Sequence, residues 1–84
     1  MERKTISPNK AFALRISKLL AEKKISKYRL TKESGVTESA MRYIFNERNN
    51  TVSLTTVIRV ASALDMSLAE FFNDPIFDFA NLQY

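Results

Sequence analysis

Residues 26–46, SKYRLTKESGVTESAMRYIFN, decide the fold. They read as two short helices broken at Gly35, the single glycine of the chain. Ser26 suits the N-cap of the first, because its hydroxyl can accept from an unpaired amide in the opening turn. Gly35 suits the end of that helix, where a left-handed residue is cheap only without a side chain. Thr37 stands where the second helix needs its own cap, which leaves a turn of about three residues.

At roughly 100° per residue the second helix, expected over about 38–46, has two unlike sides. With Glu38 at zero, Arg42 falls near 40°, Asn46 near 80°, Ser39 near 100° and Tyr43 near 140°. Ala40, Met41 and Ile44 fall between about 200° and 300°. The apolar side must pack on a neighbour, and Leu30 and Val36 are the nearest candidates. The polar side carries a donor, an acceptor, an amide, a hydroxyl and an aromatic ring, which is equipment for reading base edges in a groove wide enough for a helix.

Leu30, Thr31, Gly35, Val36, Met41 and Ile44 resemble the key positions of the Cro/lambda-repressor-type helix-turn-helix, the Xre-like family. The glycine sits at the turn, and apolar residues six and nine positions later face the preceding helix. The downstream stretch 53–72, SLTTVIRVASALDMSLAEFF, is similar to the last two helices of that family. The resemblance spans roughly residues 12–72. This chain departs from the family at Thr31, usually alanine, at Glu47, often a glycine that closes the reading helix, and at Val52, usually proline. The resemblance implies an all-α, compact five-helix domain that binds double-stranded DNA as a bacterial or phage repressor or regulator.

The same resemblance places Glu38, Ser39 and Tyr43 at base-reading positions, and groove chemistry assigns them roles. Glu38 can accept from a cytosine amino group, and Ser39 can serve either sign. Arg42 can clamp a guanine edge or a phosphate, and Tyr43 can lie on a thymine methyl or bond a phosphate. Lys27 opens the first helix of the pair, where the family commonly grips a backbone phosphate and where exposed amides also favour an anion. Asn46, Arg48 and Asn49 complete the expected phosphate set. Against this stands a plainer possibility, that lysines and polar loops are simply solvated.

Composition narrows the alternatives. The 84 residues make one domain, with a core over about 8–73, an arm over 1–7 and an apolar tail over 74–84. Cysteine and histidine are both absent, which excludes disulfides and thiolate sites and argues against zinc and against Ser-His or Cys-His nucleophile pairs. One glycine cannot furnish a dinucleotide fingerprint or phosphate loop. No catalytic constellation is visible, so no enzyme and no cofactor are expected. No stretch approaches the ~20 apolar residues of a membrane span, and the start MERKTIS lacks a secretion-signal core. A cytoplasmic, nucleoid-associated protein is the expectation.

The net charge of +4 is unevenly spread. Through Lys32 there are ten basic and two acidic residues, a net +8; from Glu33 onward three basic and seven acidic residues give −4. A basic front half suits a polyanion.

Around the central pair, Ser7-Pro8 should start a helix running to Lys23, with Phe12, Ile16 and Leu19 as its core stripe. Leu14 and Leu20 lie off that stripe. Ser53 should cap a helix over 54–64 with Leu54, Val57, Ile58, Ala61 and Leu64 as core. Ser67 and Glu70 form a capping box for a short fifth helix, with Leu68, Phe71 and Phe72 inward, and Asp74-Pro75 stops it. Residues 1–6 read as a mobile arm. The tail, with Ile76, Phe77, Phe79, Leu82 and Tyr84, is too apolar for a solvated terminus. It either folds back on Leu14 and Leu20 or joins a second copy, and the homodimer is the favoured reading. Two rival functions remain: the antitoxin of a toxin–antitoxin pair, with the tail as partner segment, and a protein-interaction module that kept the fold, for which acidic Glu38 is the best argument.

Overall fold

Five serine and threonine hydroxyls open the five α-helices of the described residues. In the computed structural model, which describes residues 5–46 and 52–83, the helices are α1 (Pro8–Lys23), α2 (Lys27–Ser34), α3 (Glu38–Ile44), α4 (Leu54–Ala63) and α5 (Leu68–Phe71). Ser7, Ser26, Thr37, Ser53 and Ser67 each accept from the amide three residues on. Each such cap is worth about 1 kcal/mol. At Ser67 the box is complete, since the Glu70 carboxylate also accepts from the Ser67 amide at 3.1 Å. The chain is all-α, as expected, apart from one isolated bridge described below.

The helix ends are equally local. Lys24 closes α1 in the left-handed region (φ 56°), so this break is made without glycine. Gly35 closes α2 at φ 73°. Ser34, buried at that corner, accepts from the Val36 amide and donates to the Thr31 carbonyl.

Packing follows the apolar stripes, with α2 lying along α4 and α1 along α3. Phe12, Ile16 and Leu19 are buried as expected, and Leu20 joins them, while Leu14 stays 43% exposed. Ile25 packs on the core between α1 and α2. On α4 two expectations fail: Leu54 is 64% exposed and Ile58 46%. Val57, Ala61 and Leu64 are buried as expected, and Val60 joins them. Leu54 and Ile58 lie to one side of that stripe, away from the helices α4 packs against. On α5 only Phe71 is fully buried; Leu68 and Phe72 remain partly outside, because a single turn presents one residue squarely to the core.

The tail folds onto its own chain, but not onto Leu14. Two 3-10 turns, Pro75–Phe77 and Phe79–Asn81, carry it past α1. Phe77 packs edgewise on Phe72 (4.9 Å between centroids), and Phe71 lies 5.4 Å from Phe12. Leu82 bridges to Ile6, with the Ile6 amide donating to the Asn81 carbonyl at 3.0 Å and the Gln83 amide to the Ile6 carbonyl at 2.8 Å. Ile6 is therefore held by backbone bonds rather than belonging to a loose arm.

Arg15 also departs from expectation. It belongs to the basic front half that suits a polyanion, yet it is buried. Its Nε donates to the Phe71 carbonyl at 2.7 Å, Nη2 to the Glu70 carbonyl at 3.0 Å, and Nη1 pairs with Asp74 at 3.3 Å. It caps the Phe71 carbonyl at the end of α5, where the helix has no amide left to offer, and adds to the Asn73 amide on the carbonyl of Glu70. Lys18 reaches the same Asp74 carboxylate at 3.2 Å. The α1 surface is correspondingly less basic than the sequence count implies.

Candidate nucleic-acid interface

The α2–turn–α3 unit is built as the residue pattern demands. Met41 and Ile44 are buried on one side of α3, with Leu30 and Val36 in the same core, and Ala40 lies between. Glu38, Ser39, Arg42 and Tyr43 are all exposed on the other side. Tyr43 keeps 44% of its surface in solvent, although an aromatic ring of that size gains by burial when a core site is open to it. An inward rotation of α3 would expose Met41 and Ile44, so packing fixes which side faces out.

The four outward residues divide between two hollows. Glu38 and Arg42 line a groove of about 540 Å³ against α2, shared with Lys27, Tyr28, Thr31 and Lys32. Ser39 and Tyr43 line a hollow of about 340 Å³ against the start of α4, shared with Val52, Ser53 and Thr56. The outer face of α3 thus has a charged flank and a hydroxyl-bearing flank. The hydroxyls of Ser53 and Thr56 lie 2.9 Å apart beside the second. Lys32 figures in the sequence only as part of the basic front half and Thr56 not at all; helix packing brings both to the site.

The α3 helix is shorter than expected. It ends at Ile44, and the Asn46 amide bonds back to the Tyr43 carbonyl at 3.2 Å. Asn46 is exposed but lies beyond the last helical turn, so the wheel that placed it on the reading face does not apply to it. Arg48 and Asn49 lie outside the described residues. Lys27 is exposed at the first position of α2, with its ammonium 3.9 Å from the centroid of the Phe45 ring. Neither member of that contact signals the other in the sequence.

The other basic groups near the unit are engaged within it. Arg29 Nε pairs with Glu33 at 2.8 Å one turn on, an exposed pair whose carboxylate holds the guanidinium charge more firmly still. Arg59 reaches from α4 to the Gly35 carbonyl at 3.5 Å. Lys32 lies 5.0 Å from the centroid of the Tyr28 ring. No group of three or more metal-ligating side chains occurs among the described residues. No helix among them is long and apolar enough to cross a membrane.

A helix capped by Thr37, seated on α2 by Met41 and Ile44 and polar on its outer side, defines a helix-turn-helix protein. A family profile described as the Cro/C1-type HTH DNA-binding domain matches residues 15–75. The chain belongs to that family, and with it to DNA-binding regulators rather than enzymes. The fold is similar to that in the crystal structure of the prophage Lp1 protein 11, with a TM-score of 0.80 at 20% identity, over 84% of this chain and 93% of that one. No curated protein matches the chain at a significant level.

Proposed function

We propose that the protein reads a specific double-stranded DNA sequence by laying α3 in the major groove, and that it acts as a transcriptional repressor or regulator. One observation carries the reading: α3 commits Met41 and Ile44 to the core and leaves Glu38, Ser39, Arg42 and Tyr43 outside together. Four hydrogen-bonding or aromatic side chains on one exposed helical face match what a major-groove edge offers. In this reading Ser39 and Tyr43 touch bases, Glu38 accepts from a cytosine amino group, and Arg42 takes a guanine or a flanking phosphate. Lys27 supplies a phosphate contact, and Asn46, Arg48 and Asn49 complete that set. Glu38 also repels phosphate wherever no base donor meets it, which adds discrimination against wrong sequences.

Two copies on an inverted repeat complete the proposal, since a single α3 covers only a half-site. Phe79, 80% exposed at the outer turn of the tail, is the proposed contact between them. The proposed setting is the cytoplasm. Selection of bound duplexes from a random pool tests both parts. A recovered inverted repeat supports sequence reading by a pair; recovery of no common sequence counts against it. The antitoxin reading makes a different forecast, a second small protein that co-purifies with the chain. The interaction-module reading forecasts no duplex retention even at low salt.

A further inference from the structure

Lys27 and Phe45 are 18 positions apart in the sequence, yet the Lys27 ammonium lies 3.9 Å from the centroid of the Phe45 ring. Lys27 opens α2 and Phe45 caps α3, so the contact joins the two ends of the helix-turn-helix. The two partners differ in mobility. Phe45 is half-buried and packs against the core, whereas Lys27 is exposed on a four-carbon stem. The ring is the platform and the ammonium the guest.

The position needs such a platform. A cation at the start of a helix meets the positive end of the helix dipole, and α2 has no acidic residue in its first turn to offset it. The negative face of the Phe45 ring supplies the missing attraction. It occupies one side of the ammonium only, so N–H donors remain for an anion. The start of α2 and the lysine then present positive potential together.

We propose that Phe45 is a positioning residue for DNA, holding Lys27 at the seam between α2 and α3 so that its phosphate contact is pre-organised. The inference rests on the DNA-reading proposal above and adds to it a residue that touches neither base nor phosphate. A pre-organised lysine has less rotamer freedom to lose when the phosphate arrives. Removing the ring therefore lowers affinity for every duplex without changing how many phosphates are neutralised. Removing the lysine changes both.

The test measures the dissociation constant for a random-sequence duplex against salt in the parent, Phe45→Leu, Phe45→Tyr, Lys27→Ala and the Lys27→Ala/Phe45→Leu double variant. Phe45→Leu should bind about two- to fivefold more weakly at each salt, with an unchanged salt slope. Phe45→Tyr should bind like the parent. Lys27→Ala should lower the slope by about 0.9, and Phe45→Leu should cost nothing further in that background. In the free protein, the Lys27 ε-methylene protons should resonate upfield in the parent and in Phe45→Tyr, and lose that shift in Phe45→Leu. If Phe45→Leu does not fold, pentafluorophenylalanine at position 45 keeps the shape and reverses the ring quadrupole, and the same loss is expected. Equal losses from Phe45→Leu with and without Lys27, or parental binding by Phe45→Leu, overturn the proposal, as does a parent lacking the upfield shift. A parent that binds no duplex at all overturns the DNA reading and this inference together; a binding parent with an indifferent Phe45 overturns this inference alone.

Discussion

Asn9 Nδ2 donates to the carbonyl of Ile44 at 2.7 Å, tying the first turn of α1 to the last residue of α3. Asn9 is 2% exposed, and among the described residues its Oδ1 meets no hydrogen-bond donor. The bond to Ile44 fixes the far end of the helix proposed to enter the groove, while Thr37 fixes the near end.

Asn9→Ala should therefore destabilise the domain by about 1–2 kcal/mol in urea unfolding. The loss of a buried hydrogen bond sets the scale. Faster amide exchange should concentrate in α3 rather than in α4. Uniform acceleration across the domain would remove Asn9 from a specific role at α3.

Gly35→Ala tests the turn by itself. The residue sits at φ 73°, and nothing lies within 4 Å of where a Cβ would stand. The penalty is therefore backbone strain without a clash, about 1–2 kcal/mol. Gly35→Asn should cost less, because asparagine tolerates the left-handed region better. Equal losses for the two variants, measured by thermal unfolding, would mean that something other than the dihedral is at stake.

How far the sequence reveals the molecule depends on whether a feature is local. All five caps, the left-handed Gly35 and the capping box at Ser67 and Glu70 are short-range chemistry and are legible from spacing. So is the two-sided character of α3, where Met41 and Ile44 go inward and Ser39 and Tyr43 outward. The exposure of Ile58 and the burial of Val60 on α4 are not local: both are β-branched, and which of them goes inward depends on the helices that pack around α4. Arg15 misleads for the same reason, since its partners Phe71 and Asp74 lie 56 and 59 positions away. The Asn9–Ile44 bond and the Lys27–Phe45 contact are tertiary coincidences that no sequence period announces.

Asp74 makes part of the stability depend on pH. Its carboxylate accepts from the Ile76 amide at 2.9 Å and pairs with Lys18 and Arg15. The Ile76 bond first, then those two cations, hold its pKa below the ordinary carboxylate value. A carboxylate lowered in the folded state contributes stability that is complete above its unfolded pKa, about 4, and lost as pH falls through the lower folded value. Asp74→Asn should cost on the order of 1–3 kcal/mol at neutral pH, mostly through Arg15, which keeps only its carbonyl partners. Urea midpoints of parent and variant should converge as the pH drops below about 4. A gap that persists unchanged into acid would mean that the carboxylate charge is not what holds the tail.

The central claim is that the outer face of α3 reads bases, and the most direct measurement is paired titration of two duplexes with Ser39→Ala and Tyr43→Ala. One duplex carries the sequence selected from the random pool; the other has the same length and scrambled order. The account predicts a loss of about 1–3 kcal/mol for each variant on the selected duplex and little change on the scrambled one. Equal losses on both duplexes, or none on the selected one, would contradict it.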